Sequence, residues 1–480
     1  MEVSQQMRLL VVGTGLAFAA LLGLFCWLYA FPVPSVHDEF AYALQADTFA
    51  SGRLTNPSHP MAEYFRTFYV FFEPTYQAKY PPGQGAFLAL GQALFGHPAV
   101  GVWISAGLAM AALAGFLSRD FKPWIVICAC AVFALSRPLF LHWGWTYWGG
   151  HVAFLGGCLL WGSLWRTQGQ LSVIRLAALG IGLFILANSR PFEGLLASVA
   201  ALAWLGWQRL RHNASATRAP LLLALALSGV VIMGWQLLYN WRLTGSILEM
   251  PYFHYQIDRD LSVMQGFSGS VRLELPDALR RLQAYFLPMP MVLLLLLVPF
   301  SGERRRALTC LALVSAAALI SHAVSKSWPH YLAPFAPLVY WLLADGLRTL
   351  SRVRVREQAV GAVLTLLLLL GYLGVTSWQF SNLFWRGPSQ NWSQARASIE
   401  EQLARIPGAD LVLVDYAPNH NPHHEWVYNR ADIDGAEVVW ARFFGWPESR
   451  ALLSYFADRR FWLLEADARP LKLLQVELAD

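Results

Sequence analysis

Apolar runs long enough to cross a bilayer recur along the chain, and they restrict its fold more than any other feature. A helix needs about 20 residues to span roughly 30 Å of hydrocarbon. Runs of that order occupy approximately residues 8–30, 98–118, 124–141, 150–166, 173–189, 191–208, 218–240, 284–300, 307–325, 329–346 and 358–379. Several are short, and 173–208 is interrupted by Asn188, Ser189, Arg190 and Pro191. Composition agrees: 56% of residues are hydrophobic and 14% charged, where soluble domains carry about a quarter charged. A water-soluble core cannot hide that much apolar surface. The expectation is an all-α polytopic membrane protein with about eleven transmembrane helices.

Lys and Arg in short loops favour the cytoplasmic side. With the N-terminus inside and strict alternation, the inner loops hold Arg119 and Lys122, Arg166 and Arg175, Arg209, Arg211 and Arg218, the Arg304-Arg305-Arg306 run, and Arg348, Arg352, Arg354 and Arg356. The net charge of +6 is concentrated there, so it reads as a topology determinant, and no nucleic-acid partner is implied. The first segment is longer than the apolar core of a signal peptide and lacks a clear small-residue cleavage site before Pro32, which makes it a retained anchor. The expected location is the inner (plasma) membrane. All five cysteines fall in predicted spans, so no disulfide framework is expected outside them.

Three non-membrane regions, 31–97, 241–283 and 380–480, fall on the exterior side in this topology. The chain then divides into a transmembrane domain over 1–379, carrying exterior loop 31–97, and an exterior (periplasmic) domain over 380–480. Residues 39–51 have helical spacing, with Asp38 placed as N-cap and Gly52 as a stop. Residues 84–96 form a second short helix after Pro81-Pro82-Gly83. Beyond about 385, short apolar runs at Leu411–Val414, Val438–Trp440, Phe461–Leu464 and Leu471–Val476 alternate with polar turns, as in a small α/β domain.

Asp38 and Glu39 stand just past the exterior end of the first span. They either cap and complement the following helix, or supply a carboxylate that takes a proton from an incoming hydroxyl. Lys79, ahead of Tyr80-Pro81-Pro82-Gly83, either snorkels at the interface or offers a fixed positive charge to a departing phosphate. Arg53 and Arg66 lie in the same region. At span ends, Arg190 forms a local pair with Glu193 or joins Lys326, His330 and Tyr331 at the cavity of Lys79. The run His142–Trp148 reads as an interfacial belt before it reads as a sugar-stacking platform. His420, His423, His424 and Glu425 are the densest metal-capable group, but their spacing is that of no known closed zinc site. Nothing resembles a phosphate-cradling glycine loop or a nucleotide fingerprint.

His37-Asp38-Glu39-Phe40-Ala41-Tyr42, Ala46-Asp47, Gly52-Arg53-Leu54 and Lys79-Tyr80-Pro81-Pro82-Gly83 resemble the first exterior loop of the GT-C superfamily of integral membrane glycosyltransferases. The branch is that of protein O-mannosyltransferases and lipid A aminoarabinose transferases, and the similarity is best over residues 1–120. The resemblance implies a GT-C-like fold, with Asp38 as catalytic base, Glu39 as its neighbour or substitute, and Lys79 as ligand of the donor phosphate. Arg53, Arg190, Lys326 and His330 are secondary phosphate candidates, and Tyr42, Tyr80 and Tyr331 substrate contacts. It further implies a polyprenyl-phosphate sugar donor and an exterior glycan, lipid or protein acceptor. Some members need a divalent cation and others do not, so a metal stays open. The rival readings are a transporter or flippase of lipid-linked glycans, for which ionisable residues would be expected near the midplane, and a non-catalytic assembly subunit in which Asp38 only caps.

Overall fold

The computed structural model describes residues 5–165, 171–212, 218–255, 274–325, 328–387 and 391–477. Among them five helices are long and apolar enough to cross a membrane: Gln5–Leu28, Pro98–Leu117, Ala219–Thr244, Arg304–Ala323 and Val360–Arg386. Two further pairs qualify only when joined, Pro123–Leu135 with Arg137–Gly144 and Leu275–Phe286 with Met291–Phe300, and they bend by 56° and 97° at their breaks. The breaks fall beside Pro138 and at Pro288 and Pro290, where a missing N–H cannot continue a helical ladder. Gly150–Leu164 and Val173–Ala187 are apolar but shorter. Five to seven segments thus meet the length of a span, against about eleven expected. The run 329–346 is likewise split, into a turn at Pro329–Leu332 and a helix at Ala336–Ser351.

The chain forms two compact units. One holds Met1–Phe31, Ala99–Gly234 and Arg272–Pro388, the apolar helices; the other holds Pro32–Pro98, Trp235–Val271 and Ser389–Asp480. The second unit therefore gathers segments from all three non-membrane regions. The first loop falls in the same compact unit as the C-terminal region.

In the helical unit, close approach is obtained with small residues, as is usual for helices lacking a hydrophobic drive between them. A Cβ at Gly157 would stand 2.5 Å from the Pro334 carbonyl oxygen, and the same oxygen accepts from Trp161 Nε1 at 3.0 Å. Asp120 Oδ2 accepts from Trp165 Nε1 at 2.7 Å and Trp341 Nε1 at 2.6 Å, tying three segments at one half-buried carboxylate.

The second unit has two sheets. In the first, β1 (Asn56–Pro57), β2 (Val70–Phe71) and β3 (Thr75–Ala78) pair antiparallel in the order β1-β3-β2. In the second, β4 (Asp410–Asp415), β5 (Val438–Arg442), β6 (Arg460–Glu465) and β7 (Lys472–Val476) run in the order β5-β4-β6-β7, with β4 parallel to β5 and β6. Helices Trp392–Ala404 and Trp446–Tyr455 accompany it, and Ile399, Leu403, Val412, Trp426 and Trp440 fill its core. All four expected strand runs of the tail are strands.

The helix expected at 39–51 spans His37–Ala50 and stops before Gly52, whose φ of +74° suits glycine. Its N-cap is Val36, not Asp38, and no side chain caps it. The start is secured from inside: Glu39 Oε2 reaches back to accept from the Ser35 amide and hydroxyl, both at 2.9 Å, in the manner of the acidic half of a capping box. The second short helix spans Gly83–Phe95 and packs on the first at glycine. A Cβ at Gly85 would lie 2.5 Å from Gln45 Cβ, and buried Gln45 donates to the Tyr80 carbonyl at 2.7 Å. Gly85→Val is expected to destabilise the protein by about 1–3 kcal/mol through overpacking, read as a lower thermal midpoint of the purified protein, whereas Gly96→Asn is expected to leave it unchanged, since space at Gly96 is open and Asn tolerates its φ of +74°.

Candidate active site

Asp38 and Lys79 come together within the second unit, around Tyr80. Asp38 occupies the second position of the His37–Ala50 helix, among the first-turn N–H groups whose dipole favours a carboxylate. Its Oδ1 accepts from the Tyr80 hydroxyl at 2.6 Å. Tyr80 is buried, stacks on Tyr42 at 4.8 Å between ring centres, and holds its phenol well above the ordinary range through burial and the neighbouring Asp38 charge. It therefore stays a donor to the carboxylate.

Lys79 follows β3, and the register that pairs Val70 with Ala78 sets it across from Tyr69, whose carbonyl accepts from the Lys79 amide at 3.0 Å. Tyr69 turns its ring onto the ammonium from a left-handed backbone, φ 66°, uncommon for a bulky residue. The ammonium nitrogen lies 3.9 Å from the Tyr69 ring centre, 4.7 Å from Tyr252, 4.8 Å from Tyr255 and 5.4 Å from Tyr80. Such distances are those of a cation–π cage. Burial pulls the Lys79 pKa down to about 8, against the opposing pull of the Asp38 charge. The cage arm that carries Tyr252 and Tyr255 is fastened to the first loop. Tyr255 accepts from the Tyr69 amide at 2.9 Å, His254 Nε2 meets the Glu73 carbonyl at 2.8 Å, and Thr75 Oγ1 donates to the Leu243 carbonyl at 2.8 Å.

The other residues singled out from sequence are distributed differently. Glu39 is buried and occupied with Ser35. Arg53 is exposed beyond the far end of the His37–Ala50 helix, about 20 Å along its axis from Asp38. Arg66 gives its carbonyl to Arg442 Nε at 3.0 Å. In the helical unit, Arg190 lies over the Tyr331 ring at 5.2 Å, and His330 packs on Tyr331 at 4.4 Å and Trp148 at 5.0 Å. There His142, Trp143, Trp148, Tyr285, Trp328 and His330 line a small pocket, so part of the aromatic run faces inward. Lys326 lies outside the described residues.

The metal-capable group is dispersed by its partners. His420 Nδ1 is engaged by Asp467 at 2.8 Å, and Glu425 is taken by Arg442 and Tyr416. His424 lies beside Asn421 at 3.3 Å, and His423 stacks towards His37 at 6.0 Å. Among the described residues no three His, Cys, Asp or Glu side chains converge to hold a metal ion. The sequence singles out Asp38, Lys79 and Tyr80 by their local motif and does not single out Tyr69, Tyr252 or Tyr255. A tyrosine 173 residues further along the chain, as Tyr252 is from Lys79, gives no sign that its ring faces a lysine.

No protein-family model and no curated protein matches the chain. Solved structures do. A crystal structure of ArnT from Cupriavidus metallidurans bound to undecaprenyl phosphate aligns with a TM-score of 0.55 over 94% of this chain and 92% of that one, at 16% identity. The apo structure of the same protein aligns with a TM-score of 0.52 over 93% and 92%, at 14% identity. This chain thus shares its fold with that protein over nearly the whole length of both.

Proposed function

We propose that this chain, on its GT-C fold, is a membrane glycosyltransferase that takes a sugar from an undecaprenyl-phosphate-type donor and passes it to a hydroxyl on a cell-envelope glycan, lipid or protein at the exterior face. The observation that carries the reading is the meeting of a helix-start carboxylate and a caged lysine around one tyrosine. The structural likeness to a protein crystallised with undecaprenyl phosphate supports the donor class.

In the reaction, the acceptor oxygen attacks the anomeric carbon from the face opposite the phosphate, and configuration inverts. The bond between that carbon and the phosphate oxygen breaks, its electron pair leaving with the phosphate. The hydroxyl proton passes to Asp38 and from there to water. Tyr80 holds one Asp38 oxygen, fixing the other for the proton. Lys79 stabilises the charge that grows on the departing phosphate. Glu39 keeps the helix start in place, and Arg190, on Tyr331, remains a secondary candidate for phosphate. We further read about eleven spans, counting bent and short apolar helices, with the N-terminus cytoplasmic and the second unit exterior.

The test uses proteoliposomes and a panel of undecaprenyl-phosphate-linked hexoses and pentoses labelled in the sugar, with envelope lipid, glycan and protein fractions as acceptors. Label moving into an acceptor with equal release of undecaprenyl phosphate is the expected result; label crossing the vesicle wall with the donor intact would establish a transporter instead. The same assay has a pH signature. Lys79 is charged below its pKa of about 8 and neutral above it, so donor use should weaken as pH rises through about 8, and Lys79→Arg should remove that alkaline limb.

A further inference from the structure

The C-terminal α/β region does more than lie beside the catalytic helix, because one of its side chains grips that helix on both sides of Asp38. Tyr428 lies flat on Phe40, ring centres 4.2 Å apart and planes 3° from parallel, and its hydroxyl shares a 2.7 Å hydrogen bond with His37 Nδ1. These are the residues one before and two after Asp38. His37 is itself stacked on Phe68 at 4.1 Å. Burial, with His423 nearby, pushes its imidazole down to about 3, so it is neutral throughout the working range.

Tyr428 is held in turn. Arg396, on the Trp392–Ala404 helix, donates from Nη2 to the Tyr428 carbonyl at 2.7 Å and from Nε to the Trp426 carbonyl at 2.9 Å. Its guanidinium also covers Phe40 at 5.2 Å and Trp440 at 4.6 Å. On either side, Tyr76 donates to the Asn429 carbonyl at 3.1 Å and the Ala431 amide donates to Asp47 at 2.8 Å, so the segment around 428 is seated along the whole helix. Val36 contributes no side-chain cap, and Tyr428 shares the outside of the helix start with Phe68 on His37 and Tyr80 on Asp38.

We infer that Tyr428, braced by Arg396, is a positioning residue that aims Asp38 at the acceptor hydroxyl, making the C-terminal region part of the catalytic machinery. The inference deepens the reading of Asp38 as base and rests on it. Misplacement of a catalytic group by about 1 Å can cost on the order of 100-fold in rate, so a helix turn with one of its two grips released should turn over more slowly while still binding donor.

The experiment uses the full-length protein and the panel donor that the wild type turns over, with undecaprenyl phosphate binding as an independent readout. Tyr428→Phe keeps the Phe40 stack and should lower kcat about tenfold, Tyr428→Leu about 100-fold, both with donor KM and undecaprenyl phosphate binding within about twofold of wild type. His37→Phe should match Tyr428→Phe, and the double variant should be no slower than either, since both remove one bond. Unchanged kcat in Tyr428→Phe, with Asp38→Asn inactive, would overturn the positioning role and leave the base standing. Loss of undecaprenyl phosphate binding in step with kcat would overturn it too, by reducing Tyr428 to a fold residue. An active Asp38→Asn would remove the base reading itself, and this inference with it.

Discussion

Asp38→Asn is expected to cut sugar transfer by about 10²–10⁴-fold, the range for losing a positioned general base, in a protein that still folds and still binds undecaprenyl phosphate. The amide oxygen of Asn can accept the Tyr80 hydroxyl as Oδ1 does now at 2.6 Å, and the helix start is held by Glu39 and Ser35. What Asn cannot do is take the acceptor proton. Label transfer in proteoliposomes measures the loss, and thermal unfolding checks the fold. Glu39→Gln separates the two carboxylates: it keeps an acceptor for Ser35, so turnover should stay within about tenfold of wild type. If instead Glu39→Gln is the inactive variant and Asp38→Asn turns over, the roles assigned to the pair are exchanged.

Lys79→Ala is expected to lower kcat by about 10²–10³-fold, the range for removing one preorganised donor to a developing anion. It leaves a tyrosine-lined space with no cation in it. The four rings centred 3.9 to 5.4 Å from Nζ cannot substitute, because their π faces attract cations and not phosphate. Undecaprenyl phosphate binding should weaken in the same variant, which separates it from Asp38→Asn, where binding persists. A Lys79→Ala protein with wild-type turnover and wild-type phosphate affinity would return Lys79 to a snorkelling interfacial residue.

The two halves of the site were legible to different depths. Asp38, Tyr80 and Lys79 lie within one loop of 43 residues, so a short motif carried them. The cap was placed two positions late: an Asp before a helical run is a good N-cap by local preference, but the helix begins at His37, so Asp38 lies inside its first turn and its oxygen accepts from Tyr80. The metal-capable histidines were adjacent in sequence, yet His420 meets Asp467, His423 stacks towards His37 and His424 towards Trp392.

What the sequence alone determined is whatever depends on a segment's own exchange with its solvent. Apolar length specified spanning helices, short apolar runs between polar turns specified the tail strands, and glycine at position 52 specified where a helix stops. Tertiary structure decided which rings surround Lys79, that Val36 rather than Asp38 caps the helix, and that Tyr428 reaches His37 across 391 positions. Those are outcomes of packing between distant segments, in which an aromatic ring can satisfy many neighbours equally well, and only the assembled fold selects one.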